Sequence, residues 1–381
     1  MGEGWLSKAY VHVQRKKEED LTAEDKVILD VRVGRLDPVS TEKGQSKEVW
    51  ESRPAGIWLK RTAKRHASDS QKAITAVDVL FGADAVEPRP NWEIKGTPLL
   101  LDTSGEIQEA RLSVRHGNKA DIEKPPPRIR ADGKFKIMQA SDLHLSTGVG
   151  KCRDPEPKGH NGGKCEADPR TIEFVGKLLD QEKPDLVIFS GDQVNGDTAP
   201  DSQTAIFKFA DLLVKRKIPY ATIFGNHDDE GDLPRAAQME LTHSLPYSLS
   251  EPGPQDIDGV GNYFVEVLAH KNTHSALTIY LLDTHSYSPD ERQFVGYDWL
   301  KPNQIKWFRE TSQRLKNSQS HKQYSHIHMD MAFIHIPLPE YRDFRQHMVG
   351  NRTEAPTAPG FNSGFRDALV DEGVLFVSCG Q

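Results

Sequence analysis

Apolar residues in the second half of the chain fall in short runs, and several of these runs stop at residues that carry chemistry. Phe135-Lys136-Ile137-Met138-Gln139-Ala140 leads into Ser141-Asp142-Leu143-His144. Leu186-Val187-Ile188-Phe189 leads into Ser190-Gly191-Asp192. Tyr220-Ala221-Thr222-Ile223-Phe224, bounded by Pro219 and Gly225, leads into Gly225-Asn226-His227-Asp228. Such runs read as buried strands. Between them the period changes. Ile172, Val175, Leu178 and Leu179 recur at helical spacing, and so do Ile206, Phe209, Leu212 and Leu213. Asp168-Pro169 offers an N-cap and a first-turn proline for the first helix, which Pro184 ends. Strand, helix, strand, helix, strand predicts an α/β fold with parallel pairing and right-handed crossovers. Three consecutive strand ends then project toward one edge, where ligands sit in open α/β sheets.

The pattern continues downstream. Ala276 to Leu282 ends at Asp283-Thr284-His285, Met331 to Ile334 ends at His335, and Val374 to Val377 ends at Ser378-Cys379-Gly380. Lys301 to Lys316 reads as an amphipathic helix with Ile305, Phe308 and Leu315 inward. The first third is different. Val27, Leu29, Val31 and Val33 alternate with polar neighbours, and 56–59, 76–81 and 111–114 are further short strand candidates between turn residues. Residues 1–117 are therefore expected to form a small β-rich domain, with a loop over Ser40 to Glu51. Residues 118–133, with Lys124-Pro125-Pro126-Pro127-Arg128, are expected to be an extended linker, and 134–381 to be the α/β domain.

Composition narrows the function. A net charge of -7 and a pI near 6.1 argue against a nucleic-acid-binding surface. Mean hydropathy is -0.62, and no apolar run approaches the roughly 18 residues of a membrane span. Three cysteines, Cys152, Cys165 and Cys379, are too few for a disulfide scaffold and suggest a reducing, cytoplasmic setting, with a Cys152–Cys165 pair expected only in a secreted protein.

The residues at the strand ends are carboxylates, imidazoles and an amide. That donor set suits Mn, Fe or Zn better than an all-oxygen calcium site, and the absence of thiolates argues against structural zinc. An Asp-x-His pair can give two ligands to one metal, and a lone aspartate can bridge two. Two metals roughly 3.5–4 Å apart can hold a hydroxide and clamp a phosphoryl oxygen. A nearby histidine that is not a ligand can protonate the leaving oxygen. Taken singly, Asp142 or Asp192 reads as a cap or turn residue and His335 as a core histidine; their joint occurrence after successive strands favours the metal reading. Asp283 and His285 are candidates for the rim.

Asp142-x-His144, Gly191-Asp192, Gly225-Asn226-His227-Asp228 and His335 together resemble the calcineurin-like metallophosphoesterase signature. The wording of Gly191 to Gly196, Gly225 to Glu230, Gly296-Tyr297-Asp298-Trp299 and Phe333 to Tyr341 is similar to the fungal phosphatases of the dosage-dependent cell-cycle-regulator branch. The resemblance extends into the first domain at Asp78 to Gly82 and Pro88-Arg89-Pro90. It implies a four-layer α/β/β/α sandwich with two divalent or trivalent metal ions. Asp142 and His144 would hold the first metal, Asp192 would bridge, and Asn226 and His335 would hold the second. His227 would be the general acid, with Asp228 orienting it. The implied reaction is hydrolysis of phosphomonoesters, phosphoproteins among them, by in-line attack of a bridging hydroxide; the same core also serves diesterases. The family's late Gly-His-x-His has no counterpart in this sequence, which reaches Ser378-Cys379-Gly380 and Gln381. The expectation is therefore a chain cut short of its last two histidine ligands. A catalytically inactive or regulatory binding protein that keeps the fold is the alternative.

Overall fold

The computed structural model describes residues 10–41, 49–62, 71–101, 108–153, 155–322, 328–343, 349–350 and 355–381. Two compact units are present, Met1–Asp121 with Thr147–Val149, and Ile122–Ser146 with Gly150–Gln381.

The smaller unit holds two three-stranded antiparallel sheets. In the first, β1 (Val27–Val33) and β2 (Trp50–Ser52) flank β3 (Ile57–Thr62), and the single turn α1 (Pro38–Thr41) follows β1. In the second, β4 (Ile74–Phe81) and β5 (Trp92–Ile94) flank β6 (Ala110–His116). Strand β2 begins inside the stretch expected to be a loop. Trp50, 8% exposed and beneath the Arg32 guanidinium, supplies burial that its polar neighbours concealed.

The larger unit opens with a parallel sheet, β7 (Ile137–Ala140), β8 (Leu186–Ser190) and β9 (Tyr220–Ile223). Helices α2 (Ala167–Glu182) and α3 (Ser202–Arg216) make the crossovers, and α4 (Arg235–His243) follows β9. Every residue of β8 is buried, as a central strand covered on both faces requires. The second sheet is mixed. β10 (Tyr263–Leu268) pairs antiparallel with β11 (Ser275–Leu281), and β12 (Met329–Phe333) and β13 (Phe376–Ser378) continue it in parallel. Helices α5 (Pro302–Lys316), α6 (Gln319–Lys322) and α7 (Phe365–Asp371) complete the order.

The layers follow from the buried clusters. Leu186, Ile188, Ala221 and Ile223 of the parallel sheet pack on Tyr263, Val265, Val267, Ile279 and Leu281 of the mixed one. The outer face of the mixed sheet, with Tyr280 and Ala332, packs on Phe308 of α5 and on Phe365, Ala368 and Leu369 of α7. Phe209 of α3 meets Phe189 and Tyr220 on the outer face of the parallel sheet. The result is the four-layer α/β/β/α sandwich. Part of the stretch expected to be a linker lines the sheet edge, where Ile129 donates to the Leu268 carbonyl and Leu268 donates to that of Pro127.

Asp168 does not cap α2. It lies in the first turn, 1% exposed, and its carboxylate accepts the Lys208 ammonium of α3 at 2.7 Å and the Ser146 N–H at 2.8 Å. Lys208 also donates to the Ser146 carbonyl at 2.9 Å. This buried pair joins two helices to the loop that follows Asp142 and His144. Nearby, Cys152 and Cys165 form a disulfide across that loop, with 5.7 Å between their Cα atoms.

Removing one partner of a buried ion pair leaves a charge without compensation. Lys208→Met is therefore expected to lower stability by about 3–5 kcal/mol in urea unfolding followed by circular dichroism. A loss under about 1 kcal/mol, the range of surface pairs, would show that the pair does not tie the loop down.

Candidate metal centre

Each strand of the parallel sheet ends in a loop that is bonded to the next. The Asp142 N–H donates to the Gly191 carbonyl at 3.0 Å, and those of His144 and Leu145 donate to Asp192 and Gln193 at 2.9 Å. The Gly196 N–H donates to the His227 carbonyl at 3.1 Å. Asp142, His144 and Asp192 have φ values of 57°, 46° and 54°, a left-handed conformation uncommon for such residues and concentrated at functional sites. Two glycines are required by space. A Cβ on Gly191 would lie 2.2 Å from His335 Nδ1, and one on Gly225 would lie 2.2 Å from Asp192 Oδ1.

Asp142, Asp192 and His335 each present a ligand atom within 4.8 Å of the others. His144 Nε2 stands 3.9 Å from the Asp142 carboxylate and 3.8 Å from that of Asp192. His335, fully buried, directs Nδ1 to the Ser190 carbonyl at 2.8 Å. That bond leaves Nε2 as the lone-pair nitrogen; it stands 3.4 Å from Asp192 Oδ2 and has no hydrogen-bond partner. Asn226, 1% exposed, donates its amide N–H to the Tyr287 hydroxyl at 3.1 Å, while its Oδ1 is buried without a partner. Buried acceptors are nearly always paired, so these two are the atoms a cation would satisfy. With the carboxylates and His144 they form a mixed oxygen and nitrogen donor set that fits Mn, Fe or Zn.

The imidazoles of His144 and His227 lie 5.3 Å apart, ring centre to ring centre, and their pKa values are pushed in opposite directions. Burial holds His144 below the usual value, helped by the charges of His227 and His335, against the pull of Asp192 and Asp142. For His227 burial also acts downward, but the bond it donates to Glu230 and the charges of Asp192, Glu230 and Asp197 outweigh it and raise the pKa. Neighbouring groups driven apart in this way suit a metal ligand and a proton carrier.

Asp228 departs from its expected place. Its carboxylate accepts three backbone N–H groups, from Gly225 at 2.7 Å and from Asp192 and Val194 at 2.9 Å. The group on His227 Nδ1 is Glu230, at 2.7 Å. The two carboxylates differ because Asp228 is 1% exposed, so only donors already buried can reach it. Glu230, three residues from His227 at the exposed end of the turn, carried no signal but that spacing. Asp283 and His285, candidates for the rim, are structural. Asp283, fully buried, accepts the Arg235 guanidinium at 2.5 Å and the Val260 N–H at 2.8 Å, and His285 Nε2 contacts Gln304. Arg235 donates in turn to the Gly225 carbonyl at 2.6 Å, which fixes the turn ahead of Asn226. Neither Arg235 nor Tyr287 stands out in the sequence.

Residues 135–360 match the sequence model of the calcineurin-like phosphoesterases. The phosphatase DCR2 of Saccharomyces cerevisiae is 37% identical over 328 residues, 81% of this chain and 54% of that protein. Probable inactive purple acid phosphatase 14 of Arabidopsis thaliana is 36% identical over 282 residues, 69% of this chain and 68% of that protein. The chain thus spans about half the length of the first relative and two thirds of the second. A solved dimetal phosphatase from Danio rerio superposes with a TM-score of 0.38 at 14% identity, over 64% of this chain and 79% of its own.

The two carboxylates should separate experimentally. A histidine whose folded-state pKa is raised above the ordinary 6.5 contributes stability that is complete below that value and is lost as pH rises through the folded value. Glu230→Gln is expected to lower the His227 pKa in an NMR titration of metal-free protein and to cost stability mainly at acid pH. Asp228→Asn should leave the His227 titration nearly unchanged and cost ~1–3 kcal/mol, the penalty of a buried backbone N–H left without its acceptor. The reverse pattern would return the orienting role to Asp228.

Proposed function

The chain belongs to the calcineurin-like phosphoesterase family, and from that premise we propose that its cleft hydrolyses phosphomonoesters with two metal ions. The observation that carries the reading is the pair of buried acceptors, His335 Nε2 and Asn226 Oδ1, left without hydrogen-bond partners, the first of them 3.4 Å from the Asp192 carboxylate. Asp142 and His144 would hold one metal, Asn226 and His335 the other, and Asp192 would bridge. When bound, such metals generate a nucleophile from water near neutral pH and neutralise phosphoryl oxygens.

The protein's own groups do the rest. The His227 N–H donates to Asp192 Oδ1 at 2.8 Å, which fixes the bridging carboxylate. His227, with Glu230 on Nδ1, has Nε2 free to deliver a proton to the departing ester oxygen. Glu230 holds that imidazole in one orientation and tautomer. The name of the phosphatase DCR2 supports a phosphorylated substrate, and mono- and diester use share the same core. Among the described residues no helix is long and apolar enough to cross a membrane. The Cys152–Cys165 disulfide supports an oxidising compartment over the cytoplasmic one that the cysteine count suggested.

A second reading is a non-catalytic binding protein that keeps the fold. The names of the similar Arabidopsis proteins, which describe them as probable inactive phosphatases, favour it. Metal analysis together with p-nitrophenyl phosphate turnover separates the two. Under the catalytic reading, Asp192→Asn loses metal and activity together. His227→Ala keeps its metal yet loses about 10²–10⁴-fold in turnover, and loses less for good leaving groups. Metal-loaded wild type that binds phosphate without turnover would establish the binding protein instead.

A further inference from the structure

We propose that Tyr287 and Tyr297 form an aromatic platform beside the metal centre that receives the leaving group, so that the protein favours aryl over alkyl phosphomonoesters. The inference rests on the phosphomonoesterase reading above and adds a substrate class to it.

Four observations place the platform. The Tyr287 hydroxyl accepts the Asn226 amide N–H at 3.1 Å, so the ring starts at a residue of the centre. The Ser286 hydroxyl donates to the Asn226 carbonyl at 3.1 Å and fixes the same residue from the backbone side. The rings of Tyr287 and Tyr297 are stacked, 5.7 Å between centroids and 22° between planes. Tyr287 is nonetheless 45% exposed. Tyr297 backs one face of the ring, and nearly half of the residue's surface stays open. A tyrosine tied at its hydroxyl and open in this way can receive another ring.

The platform is also rigid. Ser288 donates to the Gly296 carbonyl at 2.8 Å and Asp298 to that of Ser286 at 3.0 Å, which closes a hairpin with the two tyrosines across from each other. Phe294 and Trp299 anchor its far end on Phe361, with all three ring centroids within 5.2 Å of one another. Rings held this way bind at little ordering cost. Gly296-Tyr297-Asp298-Trp299, conspicuous in the sequence yet without a part in the metal set, finds its use here.

The test uses phenylphosphonate and cyclohexylphosphonate, which match in size and have no ester to cleave, so that leaving-group reactivity does not enter. Binding to manganese-loaded protein is measured by calorimetry beside inorganic phosphate. The aryl compound is expected to bind roughly three- to tenfold more tightly, the range of one aromatic pair. The ratio should fall toward one in Tyr287→Leu and in Tyr297→Leu, and persist in Tyr287→Phe, which keeps the ring and loses only the bond to Asn226. Tyr297→Leu touches no proposed ligand, so its result stands even if Tyr287→Leu fails to fold. Phosphate binding with no aryl preference, or a preference untouched by Tyr297→Leu, would overturn the platform and leave the phosphoesterase reading standing. Absence of binding by phosphate and both phosphonates would overturn the two together.

Discussion

The Asp228 carboxylate is the knot on which the centre depends. It is buried at the turn after β9, yet two of the three N–H groups it accepts, those of Asp192 and Val194, belong to the loop after β8. The third, from Gly225, closes its own turn. One side chain thus fixes the register between two strand-end loops, and it does so with the backbone, which cannot move to another rotamer. Arg235 and Asp283 extend the hold to β11, since Arg235 bonds both the Gly225 carbonyl and Asp283. Asp192 and Asn226 are thereby held on loops of fixed register, with Asn226 Oδ1 left open for a ligand.

The arrangement is costly without a cation. Burial, with Asp192 nearby, pushes the Asp228 pKa up to about 6 against the N–H donors and Arg235. Asp192 is itself buried, which acts upward, and the nearby His335 imidazole, the His227 backbone N–H and the charge of His144 hold its pKa below the usual value. Left-handed backbone at Asp142, His144 and Asp192 adds strain of the order of 1–3 kcal/mol per residue. Two acceptors are buried unpaired. The raised Asp228 pKa, the left-handed backbone and the unpaired acceptors are each unfavourable for folding alone, and positive charge in the cleft would offset them.

Much of this was legible in the sequence, for physical reasons that can be named. β7, β8 and β9 are short and mostly apolar, the last two bounded by proline and glycine, so their ends announced Asp142, Asp192 and Asn226. The helix over Ser202–Arg216 matched its apolar period. The mixed sheet was less legible at β10, where Tyr263, Val265 and Val267 alternate with partly exposed neighbours and no chemistry follows. β2 and β5 are three residues each, too short for a period to show. Within the cleft, the residues at the strand ends were readable and those that orient them were not. Asp228 and Glu230 are both acidic, close to His227, and indistinguishable until burial assigns one to the backbone and the other to the ring. Tyr287 lies 61 residues from Asn226, and no local pattern could connect them.

The central claim is that the unpaired acceptors around Asp192 are metal ligands. Anomalous diffraction from crystals of the protein saturated with manganese tests it directly. The account predicts strong peaks in contact with the Asp192 carboxylate, one of them bonded to His335 Nε2 and Asn226 Oδ1 and another to Asp142 and His144. Saturated crystals with no peak there, and with water or side chains occupying those two acceptors, would contradict it.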